Sequence, residues 1–216
     1  MIDFQTHFVF PTHAVAPAGR LPAGAEALSL TTPDRVELHG VHFAPDRPSD
    51  TLILGFGGNA WNGQDVAVYL HELFPEAHVV AFHYRGYRPS TGTPSATALI
   101  ADAPLVYDLA VKRLKPRRIV AAGFSLGSGV AAELSARRRL DGLLLVTPFD
   151  SLKAVAQGWY PWLPVGAFFS HEIDAAAALA KSRTPVAILT GAKDDIVPAE
   201  RSRQLGRKSP NLVFER

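Results

Sequence analysis

The chain has 216 residues, of which 47% are hydrophobic and 19% charged, with a net charge of +2 and a pI near 9.0. This length and balance suit one compact domain around one core, and they exclude a disordered chain or a membrane bundle. With no cysteine in the sequence, disulfides, Cys-ligated zinc and thiol catalysis are excluded as well.

The small excess of Lys and Arg is concentrated in two clusters: Lys112, Arg113, Lys115, Arg117, Arg118, and then Arg137, Arg138, Arg139. Both fall where helices are expected to end, and cations there complement the helix dipole. On that reading the chain has no nucleic-acid partner; the competing reading is an anionic-lipid or nucleic-acid patch. The opening MIDFQTHFVFPTHAV carries an early acid and no basic start, unlike a secretory signal. No apolar run is long enough to span a bilayer, so no integral membrane segment is expected and the expected compartment is the cytoplasm.

Residues 1–26, rich in Pro, Ala and Gly, read as an irregular arm, and residues 27–216 as the domain proper. Strand patterns at 27–31 and 36–43 flank the turn Thr32-Pro33-Asp34. The run 51–56, apolar on both faces and closed by glycines, predicts a central parallel strand. A helix over 66–74 ends at Pro75, and 78–82 is the next buried strand. A helix over 98–114 is stopped by Pro116. Residues 118–124 form a strand and 126–138 a helix. Strands at 142–146 and 185–190, a helix at 199–207 and a strand begun at 211–214 complete the chain. This alternation predicts an α/β fold with a mostly parallel central sheet and helices on both faces. Such sheets bind ligands beyond the carboxyl ends of their strands, so the residues following each strand are the ones to search.

Gly123-Phe124-Ser125-Leu126-Gly127 follows one such strand and opens a helix with small residues. A serine on a sharp strand-to-helix turn is strained, and small neighbours two positions away leave room for the turn. Ser125 is therefore the candidate nucleophile; a serine helix cap in a glycine-rich turn is the plainer alternative. A tetrahedral oxyanion needs two fixed N–H donors, each worth about 2.7–4 kcal/mol. One is expected from Leu126, next after the serine. The other is expected from Gly57-Gly58-Asn59-Ala60 after the 51–56 strand, with Asn59 chosen and Ala60 beside it. An acid is expected after a late strand, and spacing leaves Asp194, Asp195 and Asp150 as candidates.

Taken together these segments resemble the α/β-hydrolase family, in its small serine acyl-hydrolase branch without a large lid domain, from about residue 28 onward. His83-Tyr84-Arg85-Gly86-Tyr87 with Ser90-Thr91-Gly92-Thr93-Pro94-Ser95 is similar to the loop after that branch's fourth strand. Gly58-Asn59-Ala60 resembles its oxyanion turn, and Gly123-Phe124-Ser125-Leu126-Gly127 its nucleophile elbow. Thr147-Pro148-Phe149-Asp150-Ser151-Leu152 resembles the segment after its sixth strand. Gly191-Ala192-Lys193-Asp194-Asp195-Ile196-Val197-Pro198 resembles its acid loop. There the acid stands three residues before the Val, which selects Asp194.

The resemblance also implies a histidine just after the last strand. The sequence has His7, His13, His39, His42, His71, His78, His83 and His171 and none later. His171, between the sixth and seventh strands, is the nearest substitute; the others read as structural. Either the C-terminal end is truncated, with the base beyond residue 216, which is the reading adopted, or the base is missing by nature; without it very low turnover is expected. The implied activity is cleavage of a carboxylic ester or thioester, a small-molecule substrate, through an acyl-enzyme on Ser125, with no metal and no organic cofactor. The alternatives are a non-catalytic ligand-binding or scaffold protein on the same fold, or a serine peptidase. Trp159-Tyr160-Pro161-Trp162-Leu163-Pro164 and Phe168-Phe169 read either as an acyl pocket or as a cap on the core.

Overall fold

In the computed structural model, which describes residues 4–159, 169–191, 194 and 196–216, the apolar runs become eight strands: β1 (Ala25–Thr31), β2 (Glu37–Phe43), β3 (Thr51–Phe56), β4 (His78–Phe82), β5 (Arg118–Phe124), β6 (Gly142–Val146), β7 (Val186–Leu189) and β8 (Leu212–Glu215). They pair in the order β1-β2-β4-β3-β5-β6-β7-β8. β1 and β2 form an antiparallel hairpin and β2 meets β4 antiparallel. Every pairing from β4 through β3 to β8 is parallel. The predicted mostly parallel sheet with helices on both faces is what forms.

Side-chain alternation divides the core between two faces. Leu52 and Leu54 point to one side of β3, and with Val80, Ala121, Leu143, Leu145 and Ile188 they pack under three helices. These are α3 (Ala96–Leu114), α4 (Leu126–Ser135) and α6 (Ala175–Lys181). Ile53 points the other way and joins Val41, Phe43, Val79 and Ala81 beneath α2 (Gly63–Leu73) through Val66, Ala67 and Leu70. Burying each Val, Leu, Ile or Phe side chain among these contributes about 1.5–3 kcal/mol. α5 (Leu152–Trp159) follows β6, and α7 (Ala199–Lys208) lies between β7 and β8.

Two helices start earlier than the apolar period suggests, because polar caps set the first turn. Asn62 Oδ1 accepts from Asp65 N at 2.9 Å and begins α2 at Gly63 rather than 66. Ser95 Oγ accepts from Ala98 N at 3.1 Å and begins α3 at Ala96. α4 ends at Ser135 rather than 138, and α5 and α6 were not anticipated. The stretch read as an irregular arm carries a short helix, α1 (Phe4–Val9), a 3-10 turn at Thr12–Ala14, and the first residues of β1. Phe10 within it is 1% exposed and belongs to the main core.

Parallel pairing brings the carboxyl ends of β3, β5, β6 and β7 side by side. Ser125 N donates to Val146 O (2.9 Å) and Thr147 N to Leu189 O (2.7 Å), continuing the ladder past the strand ends. This row of strand ends carries the candidate site.

Candidate active site

Ser125 sits between β5 and α4 at φ 48°, ψ −114°. That is a conformation L-residues avoid, at a cost of about 1–3 kcal/mol. The glycines two positions away explain how it is tolerated. A Cβ on Gly123 would fall 2.7 Å from Ser128 Cα and closer still to Gly127 O. A Cβ on Gly127 would fall 2.6 Å from Gly57 O, with Phe56 backbone atoms nearer. Both positions thus need hydrogen as the side chain so that α4 can rise directly off the sheet. Ser128 N and Oγ both donate to Ser125 O, at 2.9 and 2.5 Å, and fix the first turn behind the serine. Ser125 itself is partly exposed, and its Oγ makes no hydrogen bond among the described residues.

The turn after β3 lies against this elbow. A Cβ on Gly58 would stand 3.6 Å from Phe124 O and 3.7 Å from Ser125 Cβ, ordinary contact distances. The backbone amides of Asn59 and Leu126 donate to no acceptor among the described residues. Leu126 is the first residue of α4, where unpaired amides and the helix dipole favour negative charge. The Asn59 side chain is engaged: its Nδ2 donates to Val9 O, and its Oδ1 accepts from Tyr87 Oη at 2.7 Å. Tyr84 Oη donates to Gly57 O at 2.9 Å. The sequence reading quoted both tyrosines within their loop without giving them a role.

Asp194 follows β7, two strands from Ser125 across the sheet. Its Oδ1 accepts from Ile196 N (2.9 Å) and Val197 N (2.8 Å), which fixes the carboxylate within its own loop. Its Oδ2 accepts nothing among the described residues. The loop folds back so that a Cβ on Gly191 would touch both Asp194 Cβ and Thr147 Cγ2 at 3.2 Å. The competing Asp195 lies outside the described residues. Asp150, the third candidate, is 4% exposed and committed elsewhere: Arg201 Nη1 and Lys208 Nζ donate to its two oxygens at 3.2 and 3.1 Å, tying α7 to the loop after β6.

No histidine bonds to Ser125 or Asp194 among the described residues. His171, the nearest substitute by sequence, is buried beneath the N-terminal segment. Its Nε2 is 3.0 Å from Thr6 Oγ1 and its ring meets Phe10 edge-on at 5.2 Å. His83 is 3% exposed and accepts from Gly63 N through Nδ1 at 3.2 Å. Burial pushes its pKa down to about 4, so it is held neutral as a structural acceptor at the start of α2. Of the aromatic stretch read as pocket or cap, residues 160–168 lie outside the described residues; Phe169 meets the His171 ring at 6.4 Å.

The loop that presents Tyr84 and Tyr87 is itself pinned. Arg85, 8% exposed, donates through Nε and Nη2 to the two oxygens of buried Asp102 at 2.8 and 2.6 Å, and through Nη1 to Asp34 at 2.7 Å. The guanidinium holds the exposed Asp34 carboxyl down at about 2. Among the described residues no group of three or more His, Asp or Glu is arranged to hold a metal ion, and no helix is long and apolar enough to cross a membrane.

No protein-family model matches the chain. The chain is 34% identical over 204 residues to the uncharacterised protein Rv2307c of Mycobacterium tuberculosis, covering 91% of this chain and 72% of that protein. It is 32% identical over 190 residues to lysophosphatidylserine lipase ABHD12 of Danio rerio, covering 77% of this chain and 48% of the lipase. Among solved structures, an alpha-beta hydrolase from Vibrio vulnificus superposes with a TM-score of 0.80 at 19% identity, over 99% of this chain and 85% of that one. At that identity the likeness is one of fold.

Proposed function

We propose that this chain, whose fold is that of the α/β-hydrolases, is a serine hydrolase cleaving a carboxylic ester or thioester through an acyl-enzyme on Ser125. The observation that carries this reading is the strained Ser125 turn, partly exposed, with Leu126 and Asn59 amides that donate to no acceptor among the described residues and the Gly58 turn beside it.

In this mechanism Ser125 Oγ attacks the substrate carbonyl carbon while an imidazole removes its proton. The carbonyl oxygen takes up the electron pair and accepts from Asn59 N–H and Leu126 N–H. Collapse expels the alcohol or thiol, which takes the proton back from the imidazolium. Water then attacks the acyl-enzyme with the same imidazole as base, and the acid leaves. Asp194 orients the imidazole and stabilises its cationic form through Oδ2, since Oδ1 is held by the Ile196 and Val197 amides. We assign the base to a histidine following β8, where the resemblance implies one. The similarity to ABHD12 makes a lysophospholipid the ester to try first.

The test compares this chain, its Ser125→Ala variant and the longest product of its gene with a fluorophosphonate probe and p-nitrophenyl butyrate. The expected result is labelling and ester turnover by the longest product that Ser125→Ala abolishes, with far slower turnover by any form lacking the base. A longest product that is inert and indifferent to Ser125→Ala overturns the proposal and leaves a ligand-binding protein on a hydrolase fold.

A further inference from the structure

An oxyanion hole works only if its donors are fixed before the charge develops, and a glycine turn does not fix itself. The 57–60 turn has two consecutive glycines and, within itself, one backbone hydrogen bond to the next residue, Trp61 N to Gly58 O at 3.2 Å. Three bonds from elsewhere in the chain restrain it. Tyr84 Oη donates to Gly57 O, Tyr87 Oη donates to Asn59 Oδ1, and Asn59 Nδ2 donates to Val9 O. The two phenol rings brace each other edge to face at 5.7 Å and 84°, and Tyr87 is 1% exposed. Behind them Arg85, between the tyrosines in sequence, is locked to Asp102 and Asp34.

We infer that Tyr84 and Tyr87 are positioning residues that clamp the 57–60 turn, and with it the Asn59 amide, against the Ser125 elbow, the N-terminal segment closing the clamp through Val9. This rests on the serine-hydrolase reading for its catalytic purpose, though not for the clamp itself. The two hydroxyls grip different atoms of the turn, one a backbone carbonyl before Gly58 and the other the side chain after it. They therefore restrain the turn on both sides of Gly58, where an added Cβ would stand 3.7 Å from Ser125 Cβ. Burial raises both phenols above their ordinary pKa, so each hydroxyl keeps its proton and donates throughout the neutral range.

Tyr84→Phe and Tyr87→Phe remove one hydroxyl each and keep the ring contacts, so both variants are expected to fold. Tyr107→Phe, whose hydroxyl donates to Arg139 O at 2.9 Å outside this site, is the control. Three quantities are read on the longest gene product: the melting temperature, the exchange rate of the Trp61 amide by NMR, and Ser125 labelling against fluorophosphonate concentration. The expected result for each clamp variant is Trp61 exchange at least tenfold faster and a maximal labelling rate about tenfold lower. The half-saturating probe concentration stays unchanged and melting stays within a few degrees of wild type. A merely structural tyrosine would move melting and leave the maximal rate alone. Wild-type exchange and labelling in both variants overturns the inference. If Trp61 exchange accelerates but the unaltered protein is never labelled, the clamp stands and the hydrolase reading is what fails.

Discussion

Replacing Gly127 with Ala tests whether the Ser125 turn depends on direct backbone contact between α4 and the end of β3. The new Cβ would lie 2.6 Å from Gly57 O and nearer still to Phe56 C and O. These are backbone atoms that cannot swing aside, so restoring normal contact needs a relative shift of about 1 Å between helix and strand. Overpacking of this kind costs about 1–3 kcal/mol, at the upper end where backbone must move. Ala regains up to about 1 kcal/mol over Gly in a helix, which leaves a net loss of about 2 kcal/mol. For a chain of this length that lowers Tm by about 4–8 °C. The same shift moves Ser125 relative to the 57–60 turn, and a 1 Å misplacement costs about a hundredfold in rate. Thermal melts and fluorophosphonate labelling, run beside Gly158→Ala, measure both effects. Gly158 has nothing among the described residues within 4 Å of its added Cβ, so that variant is expected to melt no lower than wild type. A Gly127→Ala protein that melts at or above wild type and labels at the wild-type rate refutes the reasoning.

Ser125→Gly relieves the φ 48°, ψ −114° strain, about 1–3 kcal/mol less the entropic penalty of glycine, and is expected to raise Tm by a few degrees, whereas Ser125→Ala is not; equal melting of the two variants would count against stored strain. Between pH 6.5 and about 4 the unfolded chain protonates His83 while the folded chain resists it, so stability present above pH 6.5 declines as pH falls, by up to about 3 kcal/mol. Urea unfolding at pH 7 and pH 4.5 should show that decline in wild type and a flatter profile in His83→Gln, and parallel profiles would exclude a buried neutral imidazole. Asp102→Ala strands the buried Arg85 guanidinium and is expected to cost about 3–5 kcal/mol in denaturant titration, whereas Asp34→Asn on the exposed side costs far less; the reverse order would mean that Asp34, not Asp102, anchors the loop.

The strands at 51–56, 78–82, 118–124 and 142–146 were legible to the residue. Strands covered on both faces must be apolar throughout, and the residues that bound such a run end the strand. Helix starts were less legible, because Asn62 and Ser95 set them by side-chain hydrogen bonds that an apolar period does not register. Ser125, Leu126 and Asn59 were legible as candidates because steric demands on the turn are written locally as glycines. Asp194 emerged from the resemblance, since a loop aspartate has no distinctive local pattern.

What the sequence by itself determined about this protein is therefore the alternation of strand and helix and the glycine-bounded serine turn, because burial on both faces and close backbone approach each leave their mark in a short run of residue types. Only the tertiary structure decided which polar groups meet. Asp150 is spent on Arg201 and Lys208, 51 and 58 residues away. His171 is taken up by Thr6, 165 residues away. The Asn59 side chain reaches Val9 across 50 residues and Tyr87 across 28. Such pairings depend on how sheet order and loop closure bring distant segments together, and no spacing along the sequence encodes them.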